Sequence, residues 1–126
     1  LRNYGEADFD LLTAVIRGFE QLILTPNAST EASNLIVYGV TDPLRSQFMA
    51  ALGLVFRSTI EHYRPSAEIS LRPEFPRLGL TDAVWLDLLD HQSTLLTDDD
   101  HLYVSALSNG ARAFRFSDVK SESGMT

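Results

Sequence analysis

Apolar positions recur at helical spacing over residues 6 to 19, where Phe9, Leu12, Val15, Ile16 and Phe19 share one face. Gln21 to Leu24 follows as a short β-like run closed by Thr25-Pro26, so the chain is read as a helix and then a strand. Pro26 opens a second helix, about residues 26 to 39, and Asp42-Pro43 supplies an N-cap and a first-turn proline for a long helix to about His62. That helix carries Leu44, Phe48, Leu52, Val55, Phe56 and Ile60, which the spacing reads as a core-packing face. Pro65, Pro73 and Pro76 break residues 64 to 78 into a loop with at most a short element inside it.

The pattern resumes after Gly79. A helix of about residues 81 to 90 presents Trp85, Leu88 and Leu89, and Ser93 to Thr97 reads as a buried strand. Asp98-Asp99-Asp100 opens a helix of about residues 99 to 109 that Gly110 can end, and Ala111 to Phe116 makes a last strand. From Ser117 the chain turns small and polar, which predicts fraying. Strands alternating with helices imply an α/β fold with a small parallel sheet covered by helices. One domain over residues 4–119 and a frayed tail over 120–126 is the expected organisation.

Composition narrows the chemistry. The chain has 126 residues, 44% hydrophobic, enough for one domain with its own core. No apolar run reaches the roughly 18 to 20 residues of a membrane span, and the amino end lacks a signal-peptide layout, so a soluble cytoplasmic protein is expected. Cysteine is absent, which excludes disulfides, thiolate catalysis and thiolate zinc sites and leaves oxygen or histidine as metal ligands. The net charge of −7 argues against a broad basic surface for nucleic acid. A carboxylate site answers that objection locally, because bound cations reverse its field. Nine of the ten basic residues are Arg, a type suited to phosphate contacts, though a coding-base bias explains the skew equally well.

In an open parallel sheet, ligands gather outside the carboxyl ends of the strands. The strand at 21–24 leads into a helix on which Asn27, Glu31, Asn34 and Tyr38 form a polar stripe at spacings of four, three and four. The strand at 93–97 delivers Asp98, Asp99 and Asp100 to the same edge, and Asp82 stands at the start of the preceding helix. Each aspartate alone is explained by capping and the helix dipole. Glu31 is not, since it lies a turn inside its helix. Oxygen-only ligands of this type suit Mg²⁺ or Mn²⁺, which can polarise a phosphate and activate water for in-line attack. His62, His91 and His101 show no ligand spacing and read as ordinary residues, with His101 nearest the candidate site. Trp85 and the phenylalanines read as core rather than base-stacking platforms.

Three segments, TPNASTEASNL at 25–35, GLTDA at 79–83 and LLTDDDHLY at 95–103, resemble in order and spacing the PIN-domain family of metal-dependent ribonucleases. The proline-broken loop and the closing ARAFRFSDV extend the similarity over about residues 4 to 119. The resemblance implies a PIN-like three-layer sandwich, a small parallel sheet between helices, with acidic residues gathered at its carboxyl edge. By motif position it implies Glu31, Asp82 and Asp99 as catalytic metal-holding groups, with Thr97, Asp98 and Asn34 in support. The family begins with a hydrophobic strand that carries a first metal-binding aspartate. This sequence opens at Leu1 with a helix-leading segment, and Asp8 and Asp10 are poor substitutes, so an upstream segment is expected to supply that strand.

The leading expectation is therefore a divalent-metal-dependent endoribonuclease, in the manner of the toxin of a toxin–antitoxin pair, with RNA as substrate, an antitoxin-like protein or a second copy as partner, and no membrane. The alternative is a catalytically silent PIN-like interaction module, which a missing first aspartate favours. A response-regulator receiver is a third reading. It needs a Lys at the end of a late strand, whereas Lys120 lies in the tail.

Overall fold

The computed structural model describes residues 6–90, 92–122 and 124. Helix α1 (Glu6–Arg17) leads to β1 (Ile23–Leu24), α2 (Pro26–Gly39), α3 (Leu44–Ser58) and β2 (Ile60–Glu61). Two short helices follow, α4 (Ser66–Ile69) and α5 (Phe75–Leu78), then α6 (Leu80–Leu88), β3 (Thr94–Thr97), α7 (Asp100–Ser108), β4 (Arg112–Arg115) and α8 (Phe116–Glu122). The architecture is mixed α/β, and its strands form two small parallel pairs, β1–β2 and β3–β4. Parallel neighbours require a crossover. Helices α2 and α3 supply it in the first pair and α7 in the second.

Local chemistry sets the element ends. Thr25 is fully buried and extended, its Oγ1 accepts the amide of Ala28 at 3.1 Å, and Pro26 follows in the first turn, so α2 starts as the sequence predicts. Helix α3 begins at Leu44 with Pro43 at its cap, while Asp42 Oδ1 accepts both the amide and the hydroxyl of Ser46, at 3.1 and 2.6 Å. The helix ends at Ser58 rather than near His62. Thr59 is extended, and the carbonyls of Leu22 and Leu24 accept the amides of Ile60 and His62 at 3.0 and 2.8 Å. The β-branched Thr59-Ile60 step favours that extended course. Gly79 joins α5 to α6 at φ +87, a left-handed conformation that makes glycine the residue of choice there.

The buried core centres on α6. Leu86 packs with Leu95 of β3 and with Leu102 and Ala106 of α7, flanked by Trp85 and Leu89. On its other side Ala83 and Val84 meet Ile69 of α4, with Phe75 and Leu88 against them. Because successive strand residues face opposite ways, Leu95 meets α6 and α7 while Thr94, Leu96 and Phe114 line an apolar depression with Val15 of α1, Phe19 just beyond that helix and Val119 of α8. The β3–β4 pair thus has helical residues against both faces.

Several expectations are corrected. The apolar residues of α3 do not form a core face: Leu44, Phe48, Val55 and Phe56 are exposed, as is Ile60, which lies in β2. Helix α3 packs chiefly on α2, and neither helix holds a buried residue. Of the aromatic residues read as core, Trp85 and Phe75 pack against the clusters and Phe116 is buried, but Phe19, Phe48, Phe56 and Phe114 are exposed. Residues 117–122, expected to fray, are helical instead, and the rest of that tail apart from Gly124 lies outside the described residues. Residues 117–122 form most of α8, because Phe116 is buried and Arg115 pairs with Asp118 across the first turn. Residues 64 to 78 hold two short helices rather than one element. The segment is tied to α6 through Asp87, which pairs with Arg64 at 2.8 Å and with Arg72 at 3.1 Å, and Arg72 also pairs with Glu74 inside the segment at 2.8 Å. No described helix is long and apolar enough to cross a membrane.

Candidate metal centre

Glu31 comes from α2, Asp82 from the first turn of α6, and Asp99 from the cap of α7. Asp82 is the inner member and is half-buried, whereas Glu31 and Asp99 are exposed. Burial pushes the Asp82 carboxyl up from its ordinary value of 3.8, and the negative charges of Asp99 and Glu31 push it further the same way. The charges of Glu31 and Asp99, from other elements of the chain, therefore both bear on Asp82. Beside them lies a shallow depression of ≈ 330 Å³ lined by Pro26, Asn27, Thr30, Glu31 and Thr81, so the start of α2 and the start of α6 border the same hollow.

The strand-to-helix turn after β3 is held at every aspartate. Thr97 Oγ1 accepts the amide of Asp99 at 3.0 Å, fixing the start of the turn. Asp99 Oδ1 accepts the amides of His101 and Leu102 at 2.9 and 3.1 Å, capping α7. Both bonds fall on one oxygen. Asp98 is exposed, and its Oδ1 accepts the amide of Ser117, across on α8, at 2.8 Å. Asp100 accepts from Arg115 Nη1 at 2.9 Å, and Arg115 also grips Asp118 through Nε and Nη2 at 2.9 and 3.2 Å. Those two carboxylates hold the guanidinium above the ordinary arginine range, and it lies 5.0 Å from the Tyr103 ring centroid.

Asn34 is exposed a turn beyond Glu31, and Tyr38, which ends the same stripe, is 85% exposed, so the stripe is the solvent face of α2. Among the histidines, His62 is half-buried, His101 is exposed and gives its backbone amide to the Asp99 cap, and His91 lies outside the described residues. The side chain of Asp8 also lies outside them, and Asp10 is exposed on α1. Arg115 and Ser117 were not singled out from the sequence. The Arg115–Asp118 spacing of three is the one local signal for the clamp; the contacts to Asp98 and Asp100 depend on the register that sets Thr97 beside Arg115.

What the arrangement offers chemically is an oxygen-only donor set in a field that a cation would relieve. Among the described residues, however, no three His, Cys, Asp or Glu are grouped closely enough to hold an ion together. The fit to a hard divalent cation lies in donor type and in electrostatics, and not in direct ligation by all three side chains. No protein-family model, curated protein or solved structure matches this chain.

Proposed function

We propose that the chain is a PIN-like, divalent-metal-dependent endoribonuclease domain, with Asp82, Asp99 and Glu31 holding Mg²⁺ or Mn²⁺. The observation that carries this reading is the raised proton affinity of Asp82 under the charges of Asp99 and Glu31. Carboxylates that converge without a positive partner between them are unfavourable for folding and useful for gathering a cation. Mg²⁺ keeps several of its waters when bound, so carboxylates that do not all touch one ion can still hold it. When bound, the ion supplies charge for the phosphate and a more acidic water. Asp82, half-buried, and Asp99, whose cap uses only Oδ1, would be the residues that hold such an ion. Glu31 borders the open depression, where an RNA phosphate would have room to approach.

The three-layer arrangement belongs to the same proposal. Neither β1 nor β3 has a second strand partner among the described residues, and both lead toward the acidic edge. A two-stranded sheet is marginal alone. A strand lying between β1 and β3 would join the two pairs into one sheet. The exposed apolar residues of α2 and α3, such as Leu35, Phe48 and Val55, are the surface that this strand, an antitoxin-like protein or a second copy would cover. A cytoplasmic location accords with this role.

The silent interaction module is favoured by one observation, the absence of a three-residue ligand group among the described residues. A cleavage assay decides between them. The protein carrying whatever coding sequence precedes Leu1 is incubated with single-stranded RNA, with Mn²⁺ or with a chelator. Metal-dependent cutting supports the nuclease, and intact RNA in both arms leaves the interaction module.

A further inference from the structure

We infer that Arg115 is a positioning residue for Asp99, acting by clamping the turn after β3 to the turn after β4. The inference rests on the metal-centre reading above and concerns how that centre keeps its shape. Strands β3 and β4 are parallel and in register, Thr97 beside Arg115, so their following turns leave the sheet side by side. Two contacts cross between those turns on either side of Asp99. Asp98 Oδ1 accepts the Ser117 amide at 2.8 Å, and Arg115 Nη1 donates to Asp100 Oδ1 at 2.9 Å. Among the described residues, the hydrogen bonds of Asp99 stay within its own turn, in the cap on α7 and the bond from its amide to Thr97. Its neighbours are thus pinned to the end of β4 and the start of α8, while the Asp99 carboxylate stays on the cap of α7.

Arg suits this place because its planar fork bonds Asp118 with two nitrogens and still reaches Asp100 with a third contact. A lysine in the same position carries the charge without the fork. The chemistry separates two roles. If Arg115 acted only as a charge, its loss would make the acidic edge more negative and strengthen cation binding, and Arg115→Lys would behave as the unaltered protein. If it positions Asp99, both Arg115→Lys and Arg115→Gln lower the rate at saturating metal, by about tenfold or more as for other residues that orient a metal ligand.

The experiment compares the three proteins in two measurements. In the first, RNA cleavage is titrated with Mn²⁺, giving a half-saturating concentration and a maximal rate. The maximal rate is expected to fall in both variants, including Lys. A Lys variant with the original rate, or a Gln variant changed only by tighter Mn²⁺ binding, overturns the inference. In the second, amide hydrogen exchange is followed at His101 and Leu102, the two amides capped by Asp99. Exchange there is expected to quicken in both variants while amides of Leu86 and Leu95 in the core keep their protection. This arm needs no activity, so if the unaltered protein cuts nothing the metal-centre reading fails while the clamp is still judged. Unchanged exchange at His101 and Leu102 overturns the clamp by itself, and a uniform rise that includes the core reduces Arg115 to a fold-stabilising residue.

Discussion

Asp99 raises the proton affinity of Asp82 from the cap of a different helix, and Glu31 adds to the effect from a third. Burial contributes most to the shift, so Asp82 is penalised first for losing water and then for its neighbours. A carboxylate in that position destabilises the empty fold, which ties the candidate chemistry to measurable stability.

The sign of the pH dependence follows. A carboxyl whose folded pKa lies above its ordinary 3.8 costs stability once it is ionised in the fold, and the cost is relieved as pH falls through that raised value toward 3.8. Asp82→Asn should therefore melt at a higher temperature than the unaltered protein at neutral pH, and the two should converge on acidification. Asp42 runs the other way. The Ser46 hydroxyl and then Arg45 hold its carboxyl below 3.8, so its contribution is full above 3.8 and is lost below. Thermal melts against pH for Asp82→Asn and Asp42→Asn test both, and an Asp82→Asn melt below that of the unaltered protein at neutral pH contradicts the strain at the acidic edge.

Divalent metal should raise the melting temperature, because an ion bound only by the folded state stabilises it by mass action and also relieves the repulsion at Asp82. The gain should be smaller in Asp82→Asn than in the unaltered protein. Melts with and without millimolar Mn²⁺, with matched ionic strength to remove general screening, provide the measurement. Equal gains in the two proteins would place the ion elsewhere.

Thr25 links β1 to the helix that carries Glu31. Its buried hydroxyl caps α2, and Thr25→Ala should cost about 0.5 to 2 kcal/mol. Thr25→Ser keeps the oxygen and should recover most of that loss. Denaturant melts of the pair separate the cap from the packing of the methyl group.

Such relationships differ in how visible they are along the chain. Helix α2 was readable to the residue because Thr25-Pro26 fixes its start locally, and the paired acids at helix starts pointed to Asp82 and Asp99 for the same reason. Strand β2 was hidden because Phe56 and Ile60 continue the helical spacing of α3, and only the carbonyls of Leu22 and Leu24 draw the chain away. The depth of α3 was misjudged because periodicity shows which face is apolar and says nothing about whether another element covers it. Arg115 and Ser117 were invisible because their partners lie on a neighbouring strand's turn, which only the β3–β4 register brings alongside. The bond from the Ser117 amide to Asp98, an exposed carboxylate, was hidden for the same cause.

The contrast between Asp98 and Asp99 gives the sharpest test of the site. Asparagine caps a helix about as well as aspartate, so Asp99→Asn keeps an oxygen for the amides of His101 and Leu102 and removes only the charge. It should abolish metal-dependent RNA cleavage with the fold intact, and its melting temperature should stay level or rise as Asp82 loses a repulsive neighbour. Asp99→Ala removes charge and cap together and should cost about 1 kcal/mol of stability. Asp98→Asn likewise keeps an acceptor for the Ser117 amide, so it should leave most of the activity, whereas Asp98→Ala breaks the tie between the two turns and should lower activity through the placement of Asp99. The four variants are compared in a single-stranded RNA assay with Mn²⁺ beside thermal melts. Equal loss in Asp98→Asn and Asp99→Asn would withdraw the assignment of the metal-facing charge to Asp99, and full activity in Asp99→Asn would remove the carboxylate centre as the seat of cleavage.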